Sequence, residues 1–196
     1  MPWPDEVTLE NERARLEPLR PEHAAGLAEA VKEGELWRLW YTKVPAPDEM
    51  SQEIERRLAL RQTGMMAPFA VRDADGRLVG MTTYCNIDPR SPRVEIGYTW
   101  YGRSVQRTAL NTACKRMLLA HAFEELGCIA VEFRTNAFNH ASRRAIERLG
   151  AKLDGVLRSH QLNSNGTVRD TYVYSIVAGE WPSVRTHLDF QLERAR

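Results

Sequence analysis

The stretch from Glu95 to Leu149 constrains this chain more than any other, because strand, polar loop, long helix, strand and short helix succeed one another within 55 residues. Val94, Ile96, Tyr98 and Trp100 alternate with Glu95, Gly97 and Thr99. That is the two-residue period of a strand with one apolar face, and its phase sets Glu95 opposite the apolar set. A helical pattern then runs from Ala109 to Leu126 and stops at Gly127. It is nearly apolar all round between 117 and 123, as a central, buried helix must be. Cys128 to Arg134 reads as a second strand, and Ala141 to Leu149 as a second helix closed by Gly150.

The flanking sequence supplies more of both element types. Leu9, Ala14, Leu16 and Leu19 read as one strand, and Pro21-Glu22-His23 opens a helix from about Ala24 to Lys32. The segment 35–48, with Trp37, Trp40, Tyr41, Pro45 and Pro47, is too aromatic for a plain linker and too rich in proline for a helix, so it is a candidate binding loop. Helix resumes from Glu49 to about Gln62. The runs 67–72 and 77–85 flank Asp73-Ala74-Asp75-Gly76 as a hairpin. Two last strands flank Asn163-Ser164-Asn165-Gly166, and Gly179-Glu180-Trp181-Pro182 starts a C-terminal helix. There is no repeat and no second hydrophobic set, which predicts one mixed α+β domain.

Charge narrows the function. The 27 Lys and Arg against 26 Asp and Glu leave a net charge of +1, and the arginines are dispersed, so neither nucleic acid nor an anionic membrane is an expected partner. No run of about 18 apolar residues and no basic, apolar leader is present, which predicts a cytoplasmic protein. Cys85, Cys114 and Cys128 are an odd, widely spaced set and read as reduced, packed thiols. The histidines show no metal-ligand spacing, so no metal is predicted. The loop Arg103-Ser104-Val105-Gln106-Arg107-Thr108 opens the long helix, where unpaired N–H donors, the helix dipole and two guanidinium groups favour an anion.

Four segments, in order and with compatible spacing, resemble the GNAT acetyltransferase superfamily and within it the RimJ/RimL-type N-acetyltransferases. They are Leu9 to His23, Val94 to Tyr98, Gln106 to Thr112 and Asn139 to Ala151. The resemblance covers about Thr8 to Ala178, leaving residues 1–7 as a flexible N-terminal tail and 179–196 as the C-terminal helix. It implies an α+β fold, with a mostly antiparallel twisted sheet splayed around acetyl-CoA and helices on both faces. It also implies transfer of an acetyl group from acetyl-CoA to a primary amine by direct attack on the thioester.

By the same resemblance the diphosphate of coenzyme A meets the loop and first turn at Gln106, Arg107, Thr108, Ala109, Leu110, Asn111 and Thr112. The family's glycine pattern is replaced here by Ala109 and Asn111, so the loop is expected to donate N–H groups from helical dihedrals. Asn139 and Ser142 would meet the pantetheine arm, although Asn139 is equally a good N-cap. One of the pair Arg143 and Arg144, with Arg144 favoured, would reach the 3′-phosphate. Backbone N–H groups at Tyr98, Thr99 and Trp100 would stabilise negative charge on the thioester oxygen.

An attacking amine must first lose a proton, and Glu95 is the candidate base, acting through water. His160 is a second candidate, since no carboxylate stands at Ser159-His160-Gln161, where RimL-like chains often have one. Ser142 is the first choice of acid for the leaving thiolate, ahead of Tyr98, Tyr172 and Tyr174, which read as packed aromatics. Trp37, Trp40 and Tyr41, with Glu95, are the expected walls of the acceptor site. The acceptor is a peptide N-terminus or a small amine. The alternative is a CoA-binding protein of the same fold with impaired catalysis. The aromatic loop and Trp181 are candidates to cover a homodimer surface.

Overall fold

The computed structural model describes residues 3–194. The elements follow in the order β1 (Leu9–Glu10), β2 (Ala14–Pro18), α1 (Ala24–Lys32), α2 (Met50–Gln62), β3 (Met66–Asp73), β4 (Leu78–Asp88), β5 (Arg93–Tyr101) and α3 (Leu110–Ala120). They continue with β6 (Ala130–Asn136), α4 (His140–Arg148), β7 (Lys152–Leu162), β8 (Val168–Val177) and α5 (Trp181–Arg194). The eight strands form one sheet in the order β1-β2-β3-β4-β5-β6-β8-β7. All neighbours are antiparallel except β5 and β6, which are parallel because α3 crosses between them. This is the α+β architecture read from the sequence.

Helices cover both faces. On one, Leu27 and Val31 of α1 and Met50 and Ile54 of α2 pack on Ala70, Met81 and Trp100. On the other, Leu110, Cys114, Leu118 and Leu119 of α3 pack with Val94, Ile96, Val131 and Phe133, and α5 adds Trp181, Val184 and Leu188. All three cysteines are free and buried. No described helix is long and apolar enough to cross a membrane.

Four readings of the sequence need revision. The expected single strand over 9–19 is a hairpin, because the Asn11 side chain accepts the N–H groups of Arg13 and Ala14 and turns the chain between β1 and β2. Of the expected loose tail, residues 1 and 2 lie outside the described residues, while Pro4 is buried and Trp3 and Val7 pack on the core. The alternation in β5 breaks: Val94 and Ile96 face α3, whereas Trp100 faces α1 and α2. A bulge causes the switch, since Thr82 of β4 faces the pair Tyr98 and Thr99, with Tyr98 at φ 50°. Trp181 is buried against Phe123 and donates to Glu124 at 2.8 Å, so it covers core rather than a partner. The final two residues expected in the C-terminal helix, 195 and 196, also lie outside the described set.

Candidate active site

Pairing between β5 and β6 ends at Glu95–Glu132. Beyond it β5 bends at the Tyr98 bulge while β6 continues with β8 to Asn136–Thr171. The sheet is therefore split between 96–101 and 133–136, and the split opens between two helix N-termini, those of α3 and α4.

At α3 the loop turns through Arg107 at φ 62°, which lets Ala109 keep helical dihedrals at φ −69° and ψ −14°. The positive φ in this loop is carried by Arg107, at a cost of about 1 kcal/mol or more. Gln106 donates to Tyr101 O at 2.8 Å and Thr108 Oγ1 donates to Val105 O at 2.7 Å, which closes the loop on itself. The Leu110 N–H is capped by Thr108 Oγ1 at 3.2 Å, and the Leu110 side chain is core, so neither is offered to a ligand. Among the described residues the N–H groups of Arg107, Thr108, Ala109, Asn111 and Thr112 have no protein acceptor. Of these residues, Arg107, Thr108, Ala109 and Thr112 line a cleft of about 480 Å³ that Arg107 and Arg148 flank with positive charge.

At α4 the Asn139 side chain accepts the Ser142 N–H at 3.0 Å, which is an N-cap worth about 1 kcal/mol. The Ser142 hydroxyl is half-buried and has no hydrogen-bond partner among the described residues. Of the arginine pair, Arg143 is committed inward, stacked 3.9 Å from the Tyr172 ring and donating to Tyr174 Oη. Arg144 is exposed. Tyr174 is itself engaged, donating to Glu147 at 2.8 Å, and is packed as the sequence suggested.

The opposite face of the split carries Glu95. Its side chain is 8% exposed, accepts Asn86 Nδ2 at 2.6 Å and lies 3.5 Å from Arg134 Nε. Arg134 is shared with Glu132, which also pairs with Arg93. Burial outweighs both the Asn86 hydrogen bond and the Arg134 charge and holds the Glu95 carboxyl above the usual carboxylate range. Gly97 permits this placement: a Cβ there would lie 2.9 Å from Glu95 Oε1 and 3.1 Å from Cys85 Sγ. Tyr98 is half-exposed beneath the guanidinium groups of Arg56 and Arg57. His160 is exposed on β7 and bonds Thr171, which in turn accepts from Arg169.

The aromatic loop divides. Trp37 packs on the α1–α2 core, while Trp40 is exposed and lies edge-on to Tyr41 and 5.4 Å from Phe138, the residue before Asn139. The structure thus brings Trp40 and Tyr41 to the α4 side of the opening and leaves Trp37 in the core. Asn86, Arg134 and Gly97 were not singled out from sequence. Their roles come from register across strands, and the only local signal was a glycine two residues after Glu95.

A sheet split beside two helix N-termini, with a buried carboxylate on one face, defines a group-transfer site for a long anionic carrier. The family model for the acetyltransferase (GNAT) domain matches residues 13–152, and the chain belongs to this N-acetyltransferase family, whose chemistry uses acetyl-CoA. The chain is 30% identical over 179 residues to a Bacillus subtilis (strain 168) protein named "Putative ribosomal N-acetyltransferase YdaF", covering 87% of this chain and 94% of that one. A GCN5-related N-acetyltransferase from Brucella melitensis superposes with a TM-score of 0.88 at 27% identity, over 97% of this chain and 87% of that one. Mycobacterium smegmatis RimJ, solved in complex with CoA-disulfide, shares the fold with a TM-score of 0.78 at 23% identity, over 96% of this chain and 95% of that one.

Proposed function

We propose that this acetyltransferase moves the acetyl group of acetyl-CoA to the α-amino group of a protein, with ribosomal proteins the first acceptors to try. The observation that carries the reading is Glu95, buried at the point where β5 and β6 part and on the face away from α3. Bound acetyl-CoA supplies an activated acyl group, and the residues present suit it. The free N–H groups at 107–109, 111 and 112, with Arg107 and Arg148, would hold the diphosphate. Asn139 and Ser142 would meet the pantetheine arm, Arg144 the 3′-phosphate, and the main chain at Tyr98 to Trp100 the thioester carbonyl.

Glu95 accepts the amine proton through water. An α-amino group titrates near 8, so at neutral pH only a minority is uncharged, and a carboxylate with a raised pKa is a better-matched base than an ordinary one. Arg134 and Asn86 keep Glu95 oriented, and Ser142 offers a proton to the departing thiolate. His160 stands on exposed β7, bonded to Thr171, which also accepts from Arg169, and its place in this scheme is at the acceptor entrance. Trp40 and Tyr41, packed edge-on against each other, would form a wall of the acceptor site. The names of the relatives support a protein N-terminus over a small amine.

Incubation with acetyl-CoA and a peptide library varied at the first two residues, read by mass spectrometry, tests this. The expected result is a single acetyl group on the N-terminus of a subset of peptides. Acetylation of free polyamines or amino acids alone would overturn the acceptor assignment.

A further inference from the structure

The α3 face of the same split holds a charge that the scheme above does not use. Lys115, in the second turn of α3, is 5% exposed. Its Nζ donates to Thr82 Oγ1 at 3.0 Å and to Thr99 Oγ1 at 2.9 Å, and no carboxylate pairs with it among the described residues. The two hydroxyls are 2.8 Å apart, and Thr99 Oγ1 donates on to Gly97 O at 3.4 Å. An ammonium has three N–H donors, so one is left over. Thr82 and Thr99 are also the residues that face each other across the β5 bulge. Lys115 therefore ties α3 to the bulge from below, one residue after Tyr98 with its φ of 50°.

A structural role accounts poorly for this arrangement. Burying an ammonium without a counter-ion is costly, and an apolar side chain of similar length would fill the space without that cost. Without Lys115 the two threonines would still bond each other and Gly97 O. Burial pulls the Lys115 pKa down to about 8, which leaves it mainly charged at neutral pH.

We propose that Lys115 is a positioning residue for acyl transfer: through Thr82 and Thr99 it fixes the β5 bulge and sets a buried positive charge behind the main chain that takes the thioester carbonyl. The inference rests on the acetyl-CoA reading given above. The test uses the full chain with Lys115→Met, Thr99→Val and Thr99→Ser. CoA affinity is measured by calorimetry, the carbonyl stretch of bound [13C]acetyl-CoA by difference infrared spectroscopy, stability by thermal unfolding, and turnover on the best peptide.

In Lys115→Met the carbonyl stretch should move toward its value in water and kcat should fall at least tenfold, with CoA affinity within twofold and no loss of thermal stability. Thr99→Val should move both readouts the same way, Thr99→Ser should restore them, and the double variant should lose no more than Lys115→Met alone. If Lys115→Met does not fold, the Thr99 pair carries the test. Folded variants with an unmoved carbonyl stretch and kcat within twofold would overturn the proposal, as would losses that multiply in the double variant. If wild type binds neither CoA nor acetyl-CoA, the reading beneath it has failed instead.

Discussion

The two faces of β5 around the Tyr98 bulge both bury charge, Arg57 and Glu95 on one and Lys115 on the other, and the fold treats Glu95 and Lys115 differently. Toward α1 and α2 stands Glu95, surrounded by Asn86, Arg134 and the Glu132–Arg93 pair, yet still pushed toward its neutral form. Toward α3 stands Lys115, with two hydroxyls and no counter-ion. Neither is the cheapest way to fill its space, since a buried charge lacking full compensation costs stability while a neutral side chain of like shape does not. The shared lesson is that stability is given up where a strand is bent for chemistry, the usual exchange between activity and stability. The difference lies in reach. In the proposed scheme Glu95 faces the acceptor and exchanges a proton, whereas Lys115 acts through Thr99 and the backbone.

The largest effect that would sharpen this contrast is on turnover. Glu95→Gln should lower acetyl transfer at neutral pH by about 100-fold, the usual worth of a general base, measured as peptide acetylation under saturating acetyl-CoA. Gly97→Ala should follow, with a loss of about tenfold, because the added Cβ forces the Glu95 carboxylate off its place. Arg107→Ala should leave the chemistry alone and weaken CoA binding about fivefold by calorimetry, with the gap to wild type closing as salt is raised.

Smaller effects separate the two charges through stability. Glu95 binds its proton more tightly folded than unfolded. Its stabilising contribution is thus present below pH 4.5 and lost as pH rises through the raised value, and Glu95→Gln should melt a few degrees above wild type at pH 7. Lys115 has the opposite sense. Between pH 8 and 10.5 the unfolded state holds the Lys115 proton and the folded state does not, so this residue's contribution to stability rises with pH by up to about 3 kcal/mol. The charge that acts on it is that of Cys114, whose pKa of about 11 keeps it neutral over most of that window. The buried thiols of Cys85, Cys114 and Cys128 and the hydroxyls of Tyr84 and Tyr101 hold their protons in the fold and lower stability in both chains as pH rises, so denaturant titrations across that window should show wild type gaining on Lys115→Met.

Much of the fold around the two helix N-termini was legible in the sequence. The apolar pattern at 109–126 marked α3, although the α-helix ends at Ala120 and a π-type turn over His121–Glu125 replaces the rest, and Asn139 three residues before Ser142 announced the cap. Such signals are local, set by helical period and capping. The bulge was not legible, because the alternation from Val94 to Trp100 looks unbroken and only pairing with β4 shows that Thr82 faces two residues. Lys115 was hidden for a similar reason. A lone lysine in an apolar helix reads as a solvent-reaching side chain, and its partners lie 33 and 16 residues away. Glu95 was visible as a candidate, but its neighbours Asn86 and Arg134 come from separate strands.

The central claim is that Glu95 takes the proton from the amine. The pH profile of kcat/KM for wild type and Glu95→Gln, with one peptide acceptor and saturating acetyl-CoA, tests it most directly. Wild type should show an acidic limb with a midpoint above 4.5, beyond the limb set by the peptide amine itself, and Glu95→Gln should lose that limb. Superimposable profiles of equal height would contradict the account.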